Sequence, residues 1–116
     1  MNPQPKIKPD KDQKYLDWVK TLLCVGCGAP ADDAHHVKGY GLSGTGMKAP
    51  DYLSMPMCRG DHNKFHIHPK RWEKENHCQI PCIMFTLDEG YKQGKISIDN
   101  YEKYTQICLD TWDKKL

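Results

Sequence analysis

Apolar material is scarce in this chain. Hydrophobic residues make up 38% of its 116 positions, phenylalanine occurs twice, and the mean hydropathy is −0.79. No apolar run approaches the ~18 residues that span a bilayer, which excludes a helical membrane protein. A single domain of this length buries roughly 65% of its unfolded surface, so a modest core is expected. The N-terminal stretch MNPQPKIKPDKDQK lacks the apolar segment of a secretory signal. The six cysteines are therefore expected in the reducing cytoplasm, where metal ligation prevails over disulfides. A large charge imbalance is missing too: the net charge is +2 and the pI about 8.2. That balance does not announce a nucleic-acid partner by itself. There is no internal repeat, and no low-complexity segment beyond the leader.

What the chain does have is a concentration of metal-binding residue types. Cys24-Val-Gly-Cys27, then His35-His36, then Cys58-Arg-Gly-Asp61-His62 and His66 all fall in one short stretch. Cysteine pairs suit a closed structural zinc site, whereas histidines at working spacings suit an open one. A structural zinc would also compensate for the small core, since thiolate sites contribute on the order of 10 kcal/mol to folding. Around them the charges are uneven. Arg59, Lys64, Lys70, Arg71 and Lys74 follow Cys58 closely, whereas the chain from Ile83 onward is slightly acidic. A basic cluster beside metal ligands fits a phosphate-rich substrate, and a solvated helix face is the plainer alternative.

The order of elements places these residues. Residues 1–12 read as a disordered leader, because Pro3, Pro5 and Pro9 preclude regular structure. Residues 13–116 read as one domain. The spacing of Tyr15, Leu16, Trp18, Val19, Leu22 and Leu23 predicts a helix from Asp12 to Leu23. The glycines after Cys24 permit a tight knuckle whose amides point at sulfur. Ala34–Lys38 reads as a strand, Gly39–Pro50 as a glycine-rich loop, and Tyr52–Met57 as the return strand. Arg59 to His66 reads as a helix stopped by Pro69. Lys70–His77 reads as a further short helix with Trp72 inward. Pro81 reads as a break, Gly90 and Gly94 as turns, and Ile83–Leu87 as either strand or helix. Asp99 or Asn100 would cap a last helix with Tyr101, Tyr104, Cys108, Leu109 and Trp112 in one stripe.

The chemistry divides between two sites. Cys24, Cys27 and Cys58 supply three zinc ligands, and either Asp61 or His62 can supply the fourth. Electrostatics favours His62, because three thiolates and a carboxylate leave the site with net negative charge. His62 and His66 stand at i and i+4 on one helix face. His35 and His36 are adjacent on a strand and point to opposite faces, so one can bind a metal while the other acts as a base. That division suits metal-assisted phosphodiester hydrolysis. His77, Cys78, Cys82 and Cys108 form a weaker second metal pattern, and buried small side chains are the plainer reading. Lys48, Arg59 and Lys64 are candidate phosphate contacts.

At these residues the chain resembles the HNH, or ββα-metal, nuclease family. The likeness is nearest to the small phage- and prophage-encoded recombination nucleases of Ref-like and YbcO-like type. The shared pattern is Trp18-Val19, Cys24-x2-Cys27, Ala34-His35-His36-Val37, Gly44-Thr45-Gly46-Met47-Lys48-Ala49-Pro50-Asp51, Met55-Pro56-Met57-Cys58 and His62-x3-His66. It covers about residues 14–68. The resemblance implies an α+β fold with a ββα-metal core over 24–68, structural zinc knuckles, and flanking helices that include an extension over 69–116. It implies a metal-dependent DNA endonuclease of phage recombination or DNA processing in a bacterial cytoplasm, leaving 5′-phosphate and 3′-hydroxyl ends. His36 takes the general-base position. His35, His62 and His66 take the catalytic-metal positions, for Mg or Mn, with Zn or Ni also suited to three imidazoles. Register puts Asp61 with Cys24, Cys27 and Cys58 on the structural zinc, leaving His62 for the second metal. The family's central Asn is missing, and Asp51 is the nearest polar residue able to brace the loop. His68 is an additional histidine outside the pattern. DNA is the expected partner, a host recombinase is a candidate source of specificity, and no membrane partner is expected. The rival expectation is a non-catalytic, zinc-stabilised DNA-binding or recombination-accessory protein.

Overall fold

The computed structural model describes residues 10–42 and 48–115, Lys115 by its backbone. Most of the leader, and Gly44–Met47 of the loop motif, lie outside the described residues. Among those described, the chain is α+β, with five α-helices and a two-stranded sheet. The order is α1 (Gln13–Val19), β1 (Asp33–His36), β2 (Ser54–Met57), α2 (Arg59–Ile67), α3 (Pro69–Glu75), α4 (Gln79–Lys92) and α5 (Ile98–Lys115).

Helix α1 is shorter than its apolar spacing predicts. Asp12 caps it by accepting from Tyr15 N–H at 3.0 Å. The helix ends at Val19, because the next residues turn toward the knuckle. Strands β1 and β2 pair antiparallel, His35 opposite Met55 and His36 opposite Ser54. Every residue of β2 is buried. Its edges are also occupied by the knuckle and its exit, through Val25 N–H to Pro56 O and Asp32 N–H to Met57 O. Helix α2 follows β2 after one residue, Cys58, and ends before Pro69 as expected.

The C-terminal half differs most from expectation. Ile83–Leu87 is helical, as part of α4, and Pro81 does not break the chain there. Pro81 occupies the first turn of α4, where a missing N–H costs nothing within the helix. Gly90 is not a turn either. It is buried inside α4, where an added Cβ would lie 3.1 Å from Tyr15 and 3.2 Å from Trp18, so the glycine admits α1. Gly94 does turn the chain, at φ +70°. Helix α5 starts earlier than Asp99, capped by the Ser97 hydroxyl, which accepts from Asn100 N–H at 3.2 Å. Tyr104 and Cys108 are fully buried, but Leu109 is 40% exposed and leaves the predicted stripe.

The core joins all of these elements. Tyr15, Trp18 and Val19 of α1 meet Met55 and Met57 of β2, Phe65 of α2, Trp72 of α3, Ile80, Ile83 and Leu87 of α4, and Tyr104 of α5. This packing fixes β1, β2 and α2 as a unit. None of the described helices is long and apolar enough to cross a membrane.

Candidate functional site

Two clusters share the β1–β2–α2 unit and meet where Asp61 and His62 follow one another in α2. The first is built from the knuckle and the start of α2. Gly26 N–H points at Cys24 Sγ at 3.3 Å, as the glycine-rich knuckle predicts. Gly28 adopts a left-handed φ of +77°. Cys58 is the N-cap of α2, and its sulfur accepts from Asp61 N–H at 3.4 Å. Asp61 Oδ2 lies 3.3 Å from Cys24 Sγ and 3.4 Å from Cys58 Sγ, and Cys27 Sγ lies 3.6 Å from Cys58 Sγ.

Among the described residues, Cys24, Cys27, Cys58 and Asp61 are the one set of such side chains with all donor atoms within 4.8 Å. These separations match a common ion. Ligands on a tetrahedral zinc stand about 3.8 Å apart for two sulfurs and about 3.5 Å apart for sulfur and oxygen. All six cysteines are free. Trp72 Nε1–H donates to Asp61 Oδ1 at 3.2 Å, leaving Oδ2 for the sulfurs. Gly26 must be small, since an added Cβ would lie 2.9 Å from Asp61 Oδ2 and 3.0 Å from Trp72.

The electrostatics of this cluster is that of crowded acids. The Asp61 N–H favours the Cys58 thiolate, but desolvation and the neighbouring Cys27, Asp61 and Cys24 groups outweigh it. Together they push the thiol up to about 11. Desolvation works against the Asp61 carboxylate, yet hydrogen bonds from Trp72 and the three thiols hold its pKa below the usual range. A divalent cation would remove this conflict by binding every group in its deprotonated form.

The second cluster is a cleft of about 440 Å³ lined by His35, His36, His62, His66, Asp33 and Lys48, among others. His62 and His66 share one face of α2, and their Nε2 atoms are 3.1 Å apart. Nitrogens bound side by side on one ion at about 2.1 Å lie about 3.0–3.4 Å apart. The far nitrogen of His62, Nδ1, meets Asp33 Oδ2 at 2.9 Å. Asp33 also takes Arg59 Nε–H at 3.0 Å. The Arg59 hydrogen bond, against some desolvation, and the His62 ring hold Asp33 below the usual carboxylate range.

His35 and His36 diverge as strand neighbours must. His35 is 1% exposed and packs edge-on to Phe65 and His62, with ring centroids 4.5 Å and 5.0 Å away. Its Nε2 lies 3.1 Å from Gln79 Oε1, and its Nδ1 is buried without a hydrogen-bond partner. Burial above all, opposed by Gln79 and reinforced by His62, His66 and Lys38, lowers its pKa to about 4. His66 is lowered as well, by desolvation first and then by His62 and Lys38. His36 turns the other way, its Nε2 2.8 Å from Asp51 Oδ1. Asp51 Oδ2 accepts from Asp12 N–H at 2.7 Å, so this carboxylate ties the end of β1 to the cap of α1. Because His36 closes β1, its ring still borders the cleft.

The candidate phosphate contacts separate in space. Lys48 lines the histidine cleft. Arg59 is engaged by Asp33. Lys64 and His68 line a different hollow between α2 and α3, about 500 Å³ in volume. Cys82 and Cys108 are buried, with their thiols pushed up by desolvation to about 11 and about 12, as suits packing groups. Two site residues, Asp33 and Gln79, escape the sequence pattern. Asp33 carries a signal, since it stands two residues before His35 on the same strand face. Gln79 carries none, being 44 positions from its partner.

Comparison with known proteins gives a family and no activity. The uncharacterized protein YdfU of Escherichia coli (strain K12) is 38% identical over 93 residues. The match takes in 80% of this chain and 27% of that protein, so the chain spans about a quarter of its curated relative. No solved structure matches. The model of the family described as "Protein of unknown function (DUF968)" matches residues 2–94, which carry both clusters, and the chain therefore belongs to that family.

Proposed function

We propose that this chain is a metal-dependent DNA endonuclease of the HNH, ββα-metal kind. The observation that carries the reading is the histidine cleft. His62 and His66, 3.1 Å apart, stand beside His35, whose buried Nδ1 is unpartnered but which does not bring a nitrogen within 4.8 Å of both, and beside His36, held by a carboxylate. The hairpin β1–β2 followed directly by α2 supports the ββα-metal assignment. On this reading Cys24, Cys27, Cys58 and Asp61 hold a structural zinc, and His35, His62 and His66 hold a divalent ion such as Mg or Mn.

The residues then act as follows. Asp51 accepts the Nε2–H of His36, which leaves the lone pair of the neutral ring on Nδ1. His36 takes a proton from water as the water oxygen attacks phosphorus, the P–O3′ bond breaks, and the departing O3′ is protonated from solvent. The ion, when bound, supplies positive charge to the phosphate oxygens and the leaving oxygen. Asp33 orients His62 through Nδ1, and burial keeps His35 neutral and able to ligate. Lys48 attracts the phosphate backbone to the cleft.

A plasmid-nicking assay with Mg or Mn tests the proposal, with single-stranded, duplex and branched DNA as further substrates. Wild type should cut, and His36→Ala should cut about 10²–10⁴-fold more slowly. Absence of metal-dependent cutting on all of these substrates would overturn the proposal. Binding without cutting in both proteins would favour the zinc-stabilised accessory role.

A further inference from the structure

Gln79 lies in the first turn of α4, outside the strands and helix that carry the histidines, and is 1% exposed. Its carboxamide is gripped by the backbone of one residue, Lys38. The Lys38 N–H is 2.9 Å from Oε1, and the Lys38 carbonyl oxygen is 2.9 Å from Nε2. The amide could be turned either way by its shape alone, but a backbone N–H can only donate and a carbonyl can only accept. The oxygen of Gln79 must therefore face Lys38 N–H. That same oxygen is 3.1 Å from His35 Nε2. Two acceptors do not bond, so His35 Nε2 carries the hydrogen, and the lone pair of the neutral ring sits on Nδ1. Nδ1 is the buried atom for which the protein provides no partner. Leaving such an atom unmatched carries a desolvation penalty, which a bound ion would relieve.

The amide is itself held from behind. Glu73 Oε2 accepts from Gln79 backbone N–H at 3.1 Å and from the Tyr40 hydroxyl at 2.6 Å. Tyr40 keeps this contact from a left-handed backbone, at φ 61°.

We infer that Gln79 is a positioning residue that locks His35 in its Nε2–H tautomer, so that His35 meets a divalent metal ion through Nδ1. This rests on the metal-site reading proposed above. It makes the segment after the histidine helix part of the site, by way of Tyr40, Glu73, Gln79 and His35 in sequence.

The test uses the zinc-loaded chain without added metal, then with Mn²⁺ alone. Two-bond ¹H–¹⁵N correlations identify the His35 tautomer, and electron paramagnetic resonance gives Mn²⁺ affinity. Wild type should show Nε2–H. Gln79→Met keeps the length but neither polar atom. It should lose the fixed tautomer and bind Mn²⁺ about 10–100-fold more weakly, the usual loss for an outer-shell partner of a metal ligand. Gln79→Glu keeps an acceptor for His35 and should retain the wild-type tautomer. An Nδ1–H tautomer in wild type overturns the inference even if neither variant folds. Broadening of His35, His62 and His66 by Mn²⁺, with affinity unchanged in Gln79→Met, overturns this inference alone. No such broadening in wild type overturns both it and the metal-site reading.

Discussion

His35 and His36 are neighbours with the same side chain and opposite surroundings. His35 is walled in by Phe65, His62 and Gln79, whereas His36 stands at the strand end against Asp51. The buried ring has a pKa of about 4, below the ordinary 6.5, with desolvation as the leading cause. Between those values the unfolded chain binds a proton that the native ring refuses. Stability therefore rises with pH across that window, is complete above about 6.5, and is lost as pH falls toward 4. The contribution is on the order of 3 kcal/mol. Urea denaturation without added divalent metal, from pH 7 to pH 4.5, should show a steeper decline for wild type than for His35→Gln. Any zinc loss from the cysteine cluster would be common to both proteins, so parallel curves would dismiss the effect. Residue identities were readable in the sequence because spacing exposes them. Their partners were not: Asp33, Asp51 and Gln79 meet the histidines only after β1 pairs with β2 and α4 docks. The choice between Asp61 and His62 is of the same kind. The start of α2 directs Asp61 Oδ2 to the sulfurs and His62 to Asp33, a matter of helix phase that electrostatic preference alone assigns the other way.

Among the elements, α2 was legible almost to the residue, from Arg59 to its stop before Pro69, although Cys58 as its cap was not. Its apolar content is slight, so the legible signals were the terminators and the His62–His66 spacing. Helix α4 was obscured for a physical reason. Pro81 and Gly90 are breakers in the interior of an exposed helix, but one sits in the first turn and the other beneath Tyr15 and Trp18. Only the tertiary packing of α1 against α4 reveals that. The stability of α2 is tied to the cysteine cluster, because Cys58 and Asp61 occupy its first turn. On the zinc reading, Cys27→Ser should release zinc, measured by elemental analysis, and lower the thermal midpoint by more than about 10 °C. A zinc-free wild type with an unchanged midpoint would show that the four side chains need no metal to fold.

At the scale of the molecule, the histidine cleft does not end at His36. A second hollow of about 510 Å³, lined by Lys11, Gln13, Leu16, His36, Lys48 and Asp51, continues it along α1. Lys20 and Lys38 line the first. The acids on this path are occupied, Asp33 by Arg59 and His62, and Asp51 by His36. A chain with a net charge of only +2 thus gathers four lysines along one groove. On the endonuclease reading, Lys20→Ala with Lys48→Ala should weaken DNA binding equally across sequences. It should also reduce the salt slope by about 0.9 for each phosphate that the variant no longer neutralises on duplex DNA. Lys64→Ala, in the separate hollow beside α3, serves as the control. Equal losses from both would move the DNA path off this groove. The gathering was invisible in the sequence, where Lys11, Lys20, Lys38 and Lys48 are scattered and the conspicuous basic run lies after Cys58.

Helix α2 has a further consequence. Its Asp61 belongs to the cysteine cluster and its His62 and His66 to the histidine cleft, so one rigid rod carries side chains of both. On the two-metal reading, any coupling between an ion on each cluster runs through this helix and is reciprocal. Whatever factor zinc adds to the affinity of the cleft, an ion in the cleft must return to zinc by the same factor. A factor above one would make the molecule resist demetallation most while its cleft is loaded, and a factor below one, as cation repulsion favours, would make it resist least.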